Sequence, residues 1–122
     1  MAASHEPAIR VLMMPRDTNA HGTIFGGVIL SHIDQAGAIA AHQAGCPRVV
    51  TVALDQVEFH EPVFVGDLVS FYATPQRVGT TSVRIRVTVK AEGADRGEVV
   101  VTEADVTYVN VDGRGKPVPI AV

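Results

Sequence analysis

One segment constrains the fold more than any other: Gly26 to Ala44 has a helical pattern, whereas the apolar stretches after it alternate with a period of two. At 100° per residue, four apolar positions of this segment fall within roughly 60° of one another, namely Ile29, Ile33, Ala36 and Ala40. Gly45 and Pro47 follow as C-terminal stop signals. The pattern predicts a single long helix of about 28 Å.

The rest of the chain predicts antiparallel strands. Ser82 to Lys90 alternates cleanly between apolar and polar residues, and the 21 Val, 7 Ile and 9 Thr against 4 Leu favour sheet over helix. Turn-forming residues occupy positions 62–66, 76–79 and 93–97, at hairpin length. We expect strands at 9–14, 48–60, 66–75, 80–91 and 98–111.

These elements fit one architecture. A chain of 122 residues is a single domain by length, and one helix among strands is buried only if an antiparallel sheet curls around it. The predicted class is α+β, with about five or six strands wrapped around one long central helix. Residues 1–7 are expected to be flexible, and residues 113–122, rich in Gly and Pro, to form a surface tail. Free sheet edges favour a homodimer.

Composition excludes several classes of function. A net charge of −3 gives no basic stripe for nucleic acid, and no apolar run approaches the roughly 20 residues of a membrane span. Without a secretory signal pattern, a cytoplasmic location is expected. The lone Cys46 is typical of core packing. His32 and His42 lie ten apart and His60 stands alone, which predicts no metal site, and neither a G-x-S-x-G elbow nor a P-loop occurs.

Asp34 is the candidate for chemistry on the helix. It is the only carboxylate between Asp17 and Asp55, and it borders the apolar face. A carboxylate among small apolar neighbours can serve as a general base or nucleophile kept away from water. The alternative is a structural aspartate at the boundary of the core, bonded to a strand backbone.

The start of the helix is a second candidate feature. Consecutive glycines, Gly26 and Gly27, let a ligand approach the free N–H groups there, which suit an oxyanion or a polarised carbonyl. Close helix-to-strand packing, or capping by Thr23, would explain the glycines equally well. Gly27 and Asp34 are separated by about two turns, roughly 10 Å, so both can line one groove.

Several motifs carry a resemblance to a known family. Pro15 to Gly37 reads P-R-D-T-N-A-H-G-T-I-F-G-G-V-I-L-S-H-I-D-Q-A-G, and further matches lie at Val50 to Val63, Gly66-Asp67, Gly79 to Ser82 and Tyr108 to Pro119. This pattern resembles the hotdog-fold acyl-CoA thioesterases, in particular the YciA-like and cytosolic (brain-type) acyl-CoA hydrolase group. The architecture implied is the one that the periodicity predicts independently.

The resemblance implies residue roles. Asp34 matches the catalytic carboxylate, and Asn19 matches a second catalytic side chain that the neighbouring protomer contributes. Gly27, with Gly26, matches the site that polarises the carbonyl. The coenzyme A contacts that the resemblance implies are Gly79, Thr80, Thr81, Ser82, His60, Arg77 and Lys116. It also implies a hexamer built as a trimer of dimers, and no cofactor apart from the CoA carried by substrate and product.

The activity expected is therefore hydrolysis of an acyl-CoA thioester to a free carboxylic acid and CoA. A non-catalytic acyl-CoA sensor or carrier on the same fold is the alternative from another class, although a binder has no use for a buried carboxylate beside the thioester. A hotdog hydratase would require a His and Asp pair, and His32 projects about 160° away from Asp34. The acyl chain and the choice between base and nucleophile stay open.

Overall fold

The computed structural model describes residues 6–121, so most of the segment expected to be flexible, residues 1–5, lies outside the described chain. Within that range one α-helix and five strands form, together with a short 3-10 turn at Pro15–Asp17. None of the described helices combines the length and hydrophobicity needed to cross a bilayer. The main elements are β1 (Ile9–Leu12), α1 (Gly26–Gln43), β2 (Val49–Phe59), β3 (Leu68–Val78), β4 (Ser82–Gly93) and β5 (Arg96–Asn110).

The five strands form one curved antiparallel sheet in the order β1-β3-β4-β5-β2, with α1 against its inner face. β4 shows why: its apolar residues are buried against the helix, and the residues between them face outward. The buried positions of α1 include all four residues of the predicted apolar arc, with Gly37 and Ala41 in addition: Ile29, Ile33, Ala36, Gly37, Ala40 and Ala41. The predicted α+β arrangement is confirmed.

Several predicted boundaries were wrong. β3 continues through the expected turn at 76–79 and ends at Val78, because a register shift between Pro75 and Arg77 accommodates the proline within the strand. The hairpin between β4 and β5 is tighter than expected, since β4 reaches Gly93 and β5 begins at Arg96. β1 ends at Leu12 rather than at residue 14, and α1 ends at Gln43, with Ala44 as its C-cap.

The C-terminal tail is exposed for most of its length but returns to the core. Ile120 is 7% exposed, and its N–H donates a 2.8 Å hydrogen bond to the Thr80 carbonyl. The side-chain amide of Asn110 donates to the carbonyls of Val118 and Pro119. The tail therefore packs against the loop between β3 and β4.

β2 is an edge strand whose residues are mostly exposed, and two register shifts interrupt its pairing with β5. At the second shift Gln56 has a φ of 52°, the one positive φ found outside glycine among residues 6–121. Left-handed backbone costs an L-residue roughly 1–2 kcal/mol. This backbone strain lies in the edge strand β2, at its second register shift.

We predict that Gln56→Gly raises the free energy of unfolding by about 0.5–1 kcal/mol, because glycine adopts a positive φ without steric cost. Gln76→Gly is the matched control: Gln76 also sits at a register shift but lacks a positive φ, so the substitution should destabilise by about 0.5–1 kcal/mol. Urea unfolding at fixed protein concentration measures both. A loss of stability in Gln56→Gly would contradict the assigned strain.

Candidate active site

Asp34 lies in the middle of α1, partly buried, and two strand hydroxyls hold it. Thr51 Oγ1 donates a 2.7 Å hydrogen bond to Asp34 Oδ1. The Tyr108 hydroxyl lies 2.6 Å from the Asp34 main-chain oxygen and 3.2 Å from Oδ1. The alternative of a boundary aspartate bonded to strand backbone was therefore wrong about the partners, which are side chains of β2 and β5.

The sheet register explains why both hydroxyls reach the same carboxylate. Thr51 and Tyr108 are directly opposite each other in β2 and β5, so they share the face that looks at the helix. Gly37 admits the phenol to the helix surface: a Cβ there would overlap the Tyr108 hydroxyl and lie 2.9 Å from its ring carbons. Neither Thr51 nor Tyr108 was predicted as a site residue.

Tyr108 is fully buried, and burial raises the pKa of its phenol far above the ordinary value, with the neighbouring Asp34 charge acting in the same direction. In the folded protein the phenol therefore stays protonated, and acts as a hydrogen-bond donor, even near pH 10, where an ordinary tyrosine titrates.

The helix start has no side-chain cap within residues 6–121. Phe25 occupies the N-cap position with extended backbone, and the Thr23 hydroxyl instead accepts a 2.9 Å bond from Asn19 Nδ2. Capping by Thr23 is thus wrong. A Cβ on Gly26 would make only ordinary contact, 3.5 Å from the Phe59 ring, and one on Gly27 would meet the ring edge of Phe25, which is 57% exposed. Close packing against a strand does not require either glycine.

A pocket of about 360 Å³ opens beside this helix start. Gly26 and His60 line it together, so the structure joins two of the predicted site residues. The remaining lining is mostly apolar: Ile24, Ile29, Phe59, Glu61, Pro62, Val63 and Thr102. Such a lining suits an acyl chain or another apolar group.

The side chain of Asn19 is engaged within its own loop. Its Oδ1 accepts hydrogen bonds from the N–H groups of His21 at 2.7 Å and Thr23 at 3.2 Å. Within one protomer these bonds hold the loop before α1 in shape, and the structure does not bring Asn19 into hydrogen-bond contact with Asp34.

The other predicted CoA contacts gather elsewhere. Arg77, Gly79 and Ser82 line a depression of about 350 Å³, together with Arg84 and Thr107, which were not predicted. Thr80 and Thr81 belong to the adjoining loop, where their carbonyls accept the N–H groups of tail and strand residues. Lys116 lies in the exposed part of the tail. His60 lines the pocket at the helix start instead.

Arg77 and Arg84, which both line this depression, differ in whether a carboxylate pairs with the guanidinium group. Arg84 bridges Asp55 at 2.7 Å and Asp105 at 2.9 Å, two carboxylates that are direct neighbours across β2 and β5. Arg77 makes no ion pair with any residue between Glu6 and Ala121. Of the two guanidinium groups in this depression, Arg77 is the one whose charge is available to an anion.

His60 does not stand alone, contrary to the sequence expectation. Glu58 and Glu103 are register partners, and their ligand atoms and that of His60 all lie within 4.8 Å of one another. His60 Nε2 is 3.1 Å from Glu103 Oε1, and Arg86 lies 3.5 Å from the other oxygen of Glu103. The group is a cluster of one histidine and two carboxylates, of which His60 and Glu58 are exposed and Glu103 is partly exposed.

Fold and sequence together identify the class of protein. Residues 21–98 match the model of the Thioesterase superfamily, and the chain belongs to that family. It is 46% identical over 113 residues to the acyl-CoA thioester hydrolase YciA of Escherichia coli strain K12, a match covering 89% of this chain and 86% of YciA. The resemblance stated from the motifs is confirmed.

Solved structures of related proteins have the same fold. A hexameric hotdog fold thioesterase of Campylobacter jejuni superposes with a TM-score of 0.91 at 50% identity, covering 95% of this chain and 90% of that one. Two variants of an acyl-CoA hydrolase from Staphylococcus aureus superpose with TM-scores of 0.82 and 0.84 at 31% identity, covering 92% of this chain and 69% and 68% of theirs. One variant replaces an aspartate by alanine, and the other replaces an asparagine and holds coenzyme A. The fold is a hotdog fold.

The buried phenol gives a direct spectroscopic prediction. Tyr72→Phe leaves Tyr108 as the one tyrosine of the chain, and its raised pKa should suppress tyrosinate absorbance near pH 10, where an ordinary tyrosine titrates. Because the phenol ionises more easily once unfolded, stability is retained below about pH 10 and falls as the pH rises further. Tyrosinate absorbance should therefore appear together with alkaline unfolding. Reversible titration near pH 10 in a folded protein would contradict this environment.

Proposed function

We propose that this chain hydrolyses acyl-CoA thioesters to a free carboxylic acid and CoA. One observation carries the proposal: the Asp34 carboxylate on α1 is held by a hydroxyl from β2 and a hydroxyl from β5. The N-terminal end of the same helix, where the described residues provide no side-chain cap, opens beside a largely apolar pocket. Membership of the Thioesterase superfamily and the similarity to YciA support the reaction class.

The chemistry follows from these groups. The N–H groups of Gly26 and Gly27 would polarise the thioester carbonyl and stabilise the oxyanion that develops during attack. Helical side chains lean toward the N-terminus, so the Asp34 carboxylate points toward that carbonyl. It either takes a proton from the attacking water or attacks the carbonyl itself to give an anhydride that water cleaves.

A second copy of the chain would complete the site. β2 carries Thr51 next to Asp34 and Phe59 next to Gly26, and this edge strand exposes Val50, Val52 and Leu54 to solvent. An exposed apolar edge favours pairing with another copy, which would lie along the same groove. Asn19, which forms no hydrogen bond with Asp34 in the described part of one protomer, would enter from that copy. The hexameric relative supports assembly beyond the dimer. Three such dimers would then form the hexamer.

The spacing of two residues supports this assignment of Asp34 and Asn19. The aspartate and asparagine substituted in the Staphylococcus aureus enzyme differ by 15 in sequence number. Asp34 and Asn19 are separated by the same 15 positions.

The CoA portion of the substrate would lie on the depression formed by Arg77, Gly79 and Ser82, with the adjoining Thr80 and Thr81 and the tail residue Lys116. Unpaired Arg77 suits a phosphate group. His60, in the pocket at the helix start, would contact the substrate nearer the thioester.

A non-catalytic acyl-CoA carrier is the rival function, and Asp34 discriminates between the two. We predict that Asp34→Asn lowers kcat roughly 100- to 10 000-fold while the protein stays folded, because the amide cannot accept a proton or act as the nucleophile. Release of the CoA thiol from acyl-CoAs between acetyl and palmitoyl measures turnover and chain-length preference. Asp95→Asn, in the β4–β5 turn, is the control and should keep wild-type activity.

Two results would reject the proposal. One is a folded Asp34→Asn protein with wild-type turnover. The other is a wild-type protein that binds acyl-CoA but releases no thiol from any member of the series, which would favour the carrier.

The CoA contact is tested separately. Arg77→Ala should raise KM for acyl-CoA about tenfold with kcat nearly unchanged, since a charge-assisted phosphate contact is worth about 1.5–3 kcal/mol and partial exposure reduces it. Lys90→Ala on the outer face of β4, where the ammonium lies over the Tyr72 ring, is the control. An unchanged KM in Arg77→Ala would place the nucleotide elsewhere.

A further inference from the structure

The two oxygens of the Asp34 carboxylate are not equivalent. Oδ1 accepts a 2.7 Å hydrogen bond from the Thr51 hydroxyl and a longer one, 3.2 Å, from the Tyr108 hydroxyl, whose single hydrogen is shared with the Asp34 main-chain oxygen 2.6 Å away. Among the described residues, no hydrogen bond reaches Oδ2. One oxygen is therefore fixed by the protein, and the other retains its lone pairs for a reacting group.

We propose that Thr51 and Tyr108 are positioning residues that clamp Asp34 through Oδ1 and present Oδ2 as the reacting oxygen. The inference rests on the proposed thioesterase function and deepens it, since it assigns the atom that reacts and the residues that orient it.

The geometry of the clamp supports a positioning role. Thr51 and Tyr108 are opposite each other in paired strands, so the separation of their backbones is fixed by the sheet. Tyr108 contacts both the main-chain oxygen and the side chain of Asp34, which fixes the helix surface and the carboxylate orientation together. Side chains locked in this way lose less freedom when the reaction geometry is reached.

The charge state of the two donors also supports a positioning role. Both donors are neutral hydroxyls, and hydrogen bonds to a carboxylate favour its charged form. Of the described residues, Tyr108 is the titratable group hydrogen-bonded to Asp34, and its burial keeps it a donor. Because the donors occupy Oδ1, Oδ2 is the oxygen left to meet water or the thioester.

Both routes then use Oδ2 with the same balance of atoms. As a general base, Oδ2 takes one proton from water while the water oxygen bonds to the carbonyl carbon; the C–S bond breaks, and that proton passes to the departing thiolate. As a nucleophile, Oδ2 bonds to the carbonyl carbon as the C–S bond breaks and the thiolate leaves; water then cleaves the anhydride, so that its oxygen and one hydrogen enter the free acid, its other hydrogen passes to the thiolate, and the Asp34 carboxylate is restored. Either way one thioester and one water give one acid and one thiol.

Gly37 is also required for the clamp, because only a residue without Cβ leaves room for the Tyr108 hydroxyl against the helix. Replacing a helical glycine by alanine ordinarily stabilises a helix. At this position the added methyl would push the phenol away from Asp34.

The test uses single-atom changes in the full-length protein. Tyr108→Phe and Thr51→Val each remove one hydroxyl donor and keep the shape of the side chain. Tyr72→Phe, on the outer sheet face, is the matched control for the first, and Thr51→Ser, which keeps the hydroxyl, is the matched rescue for the second. Steady-state kcat and KM are measured with acetyl-CoA and butyryl-CoA at one fixed pH.

We expect each loss of a donor to lower kcat roughly 10- to 100-fold with KM changed less than about threefold, because a misdirected Oδ2 affects reaction more than binding. Thr51→Ser should restore kcat, because it returns the hydroxyl without the methyl group. A purely structural role would not give a selective loss of kcat that a serine hydroxyl reverses. Failure of a folded Thr51→Ser protein to recover kcat, or an equal change in KM and kcat, would contradict the positioning role.

Gly37→Ala provides a second, independent test of the clamp. It should lower kcat in the wild-type background and have a much smaller effect in the Tyr108→Phe background, since the two changes disturb the same contact. Equal effects in both backgrounds would show that Gly37 does not act through the phenol.

Failure of the clamp and failure of the function are distinguishable. If Tyr108→Phe and Thr51→Val keep the wild-type kcat while Asp34→Asn is inactive, the positioning inference is wrong and the thioesterase proposal stands. If Asp34→Asn remains fully active, the thioesterase mechanism is wrong and the inference fails with it.

Discussion

The contact between the Tyr108 hydroxyl and the central helix is the interaction on which the arrangement of the site depends. It ties β5, an interior strand of the sheet, to the middle of α1, and it does so at the residue proposed as catalytic. Gly37 makes the contact sterically possible, and burial keeps the phenol protonated. Packing and the proposed catalytic orientation would therefore be supplied by the same pair of elements.

The edge strand β2, in contrast, is largely exposed to solvent. β2 contributes Thr51 to Asp34 and Phe59 to the helix start, yet much of its apolar surface faces solvent in one protomer, and its backbone is strained at Gln56. A rigid carboxylate beside an unpaired edge is the geometry in which a second copy can supply what one chain lacks. The engagement of Asn19 within its own loop fits that division, because the loop is held in shape before a partner arrives.

Much of the architecture could be predicted from periodicity alone. The apolar arc of α1 and the alternation in β4 depend on local geometry, which sequence spacing reports directly. Asp34 stood out because it is a single charge at the boundary of that arc. The hydroxyl partners could not be found in the same way, since the pairing of Thr51 with Tyr108 is set by register shifts in β2 that no local pattern reveals. The cluster of His60 with Glu58 and Glu103, and the passage of β3 through Pro75, escaped prediction for the same reason. The inward alternation of Tyr108, together with a glycine on the facing helix, is the one signal that could have suggested the clamp.

The central claim is that Asp34 of one protomer acts with Asn19 of another, and subunit mixing tests it most directly. Inactive Asp34→Ala and inactive Asn19→Ala proteins are combined under conditions in which subunit exchange is shown independently. A heterodimer then contains one intact site and one doubly altered site, so an equal mixture should recover about a quarter of the wild-type turnover per chain. No recovery despite complete exchange would place both side chains in one protomer and contradict the account.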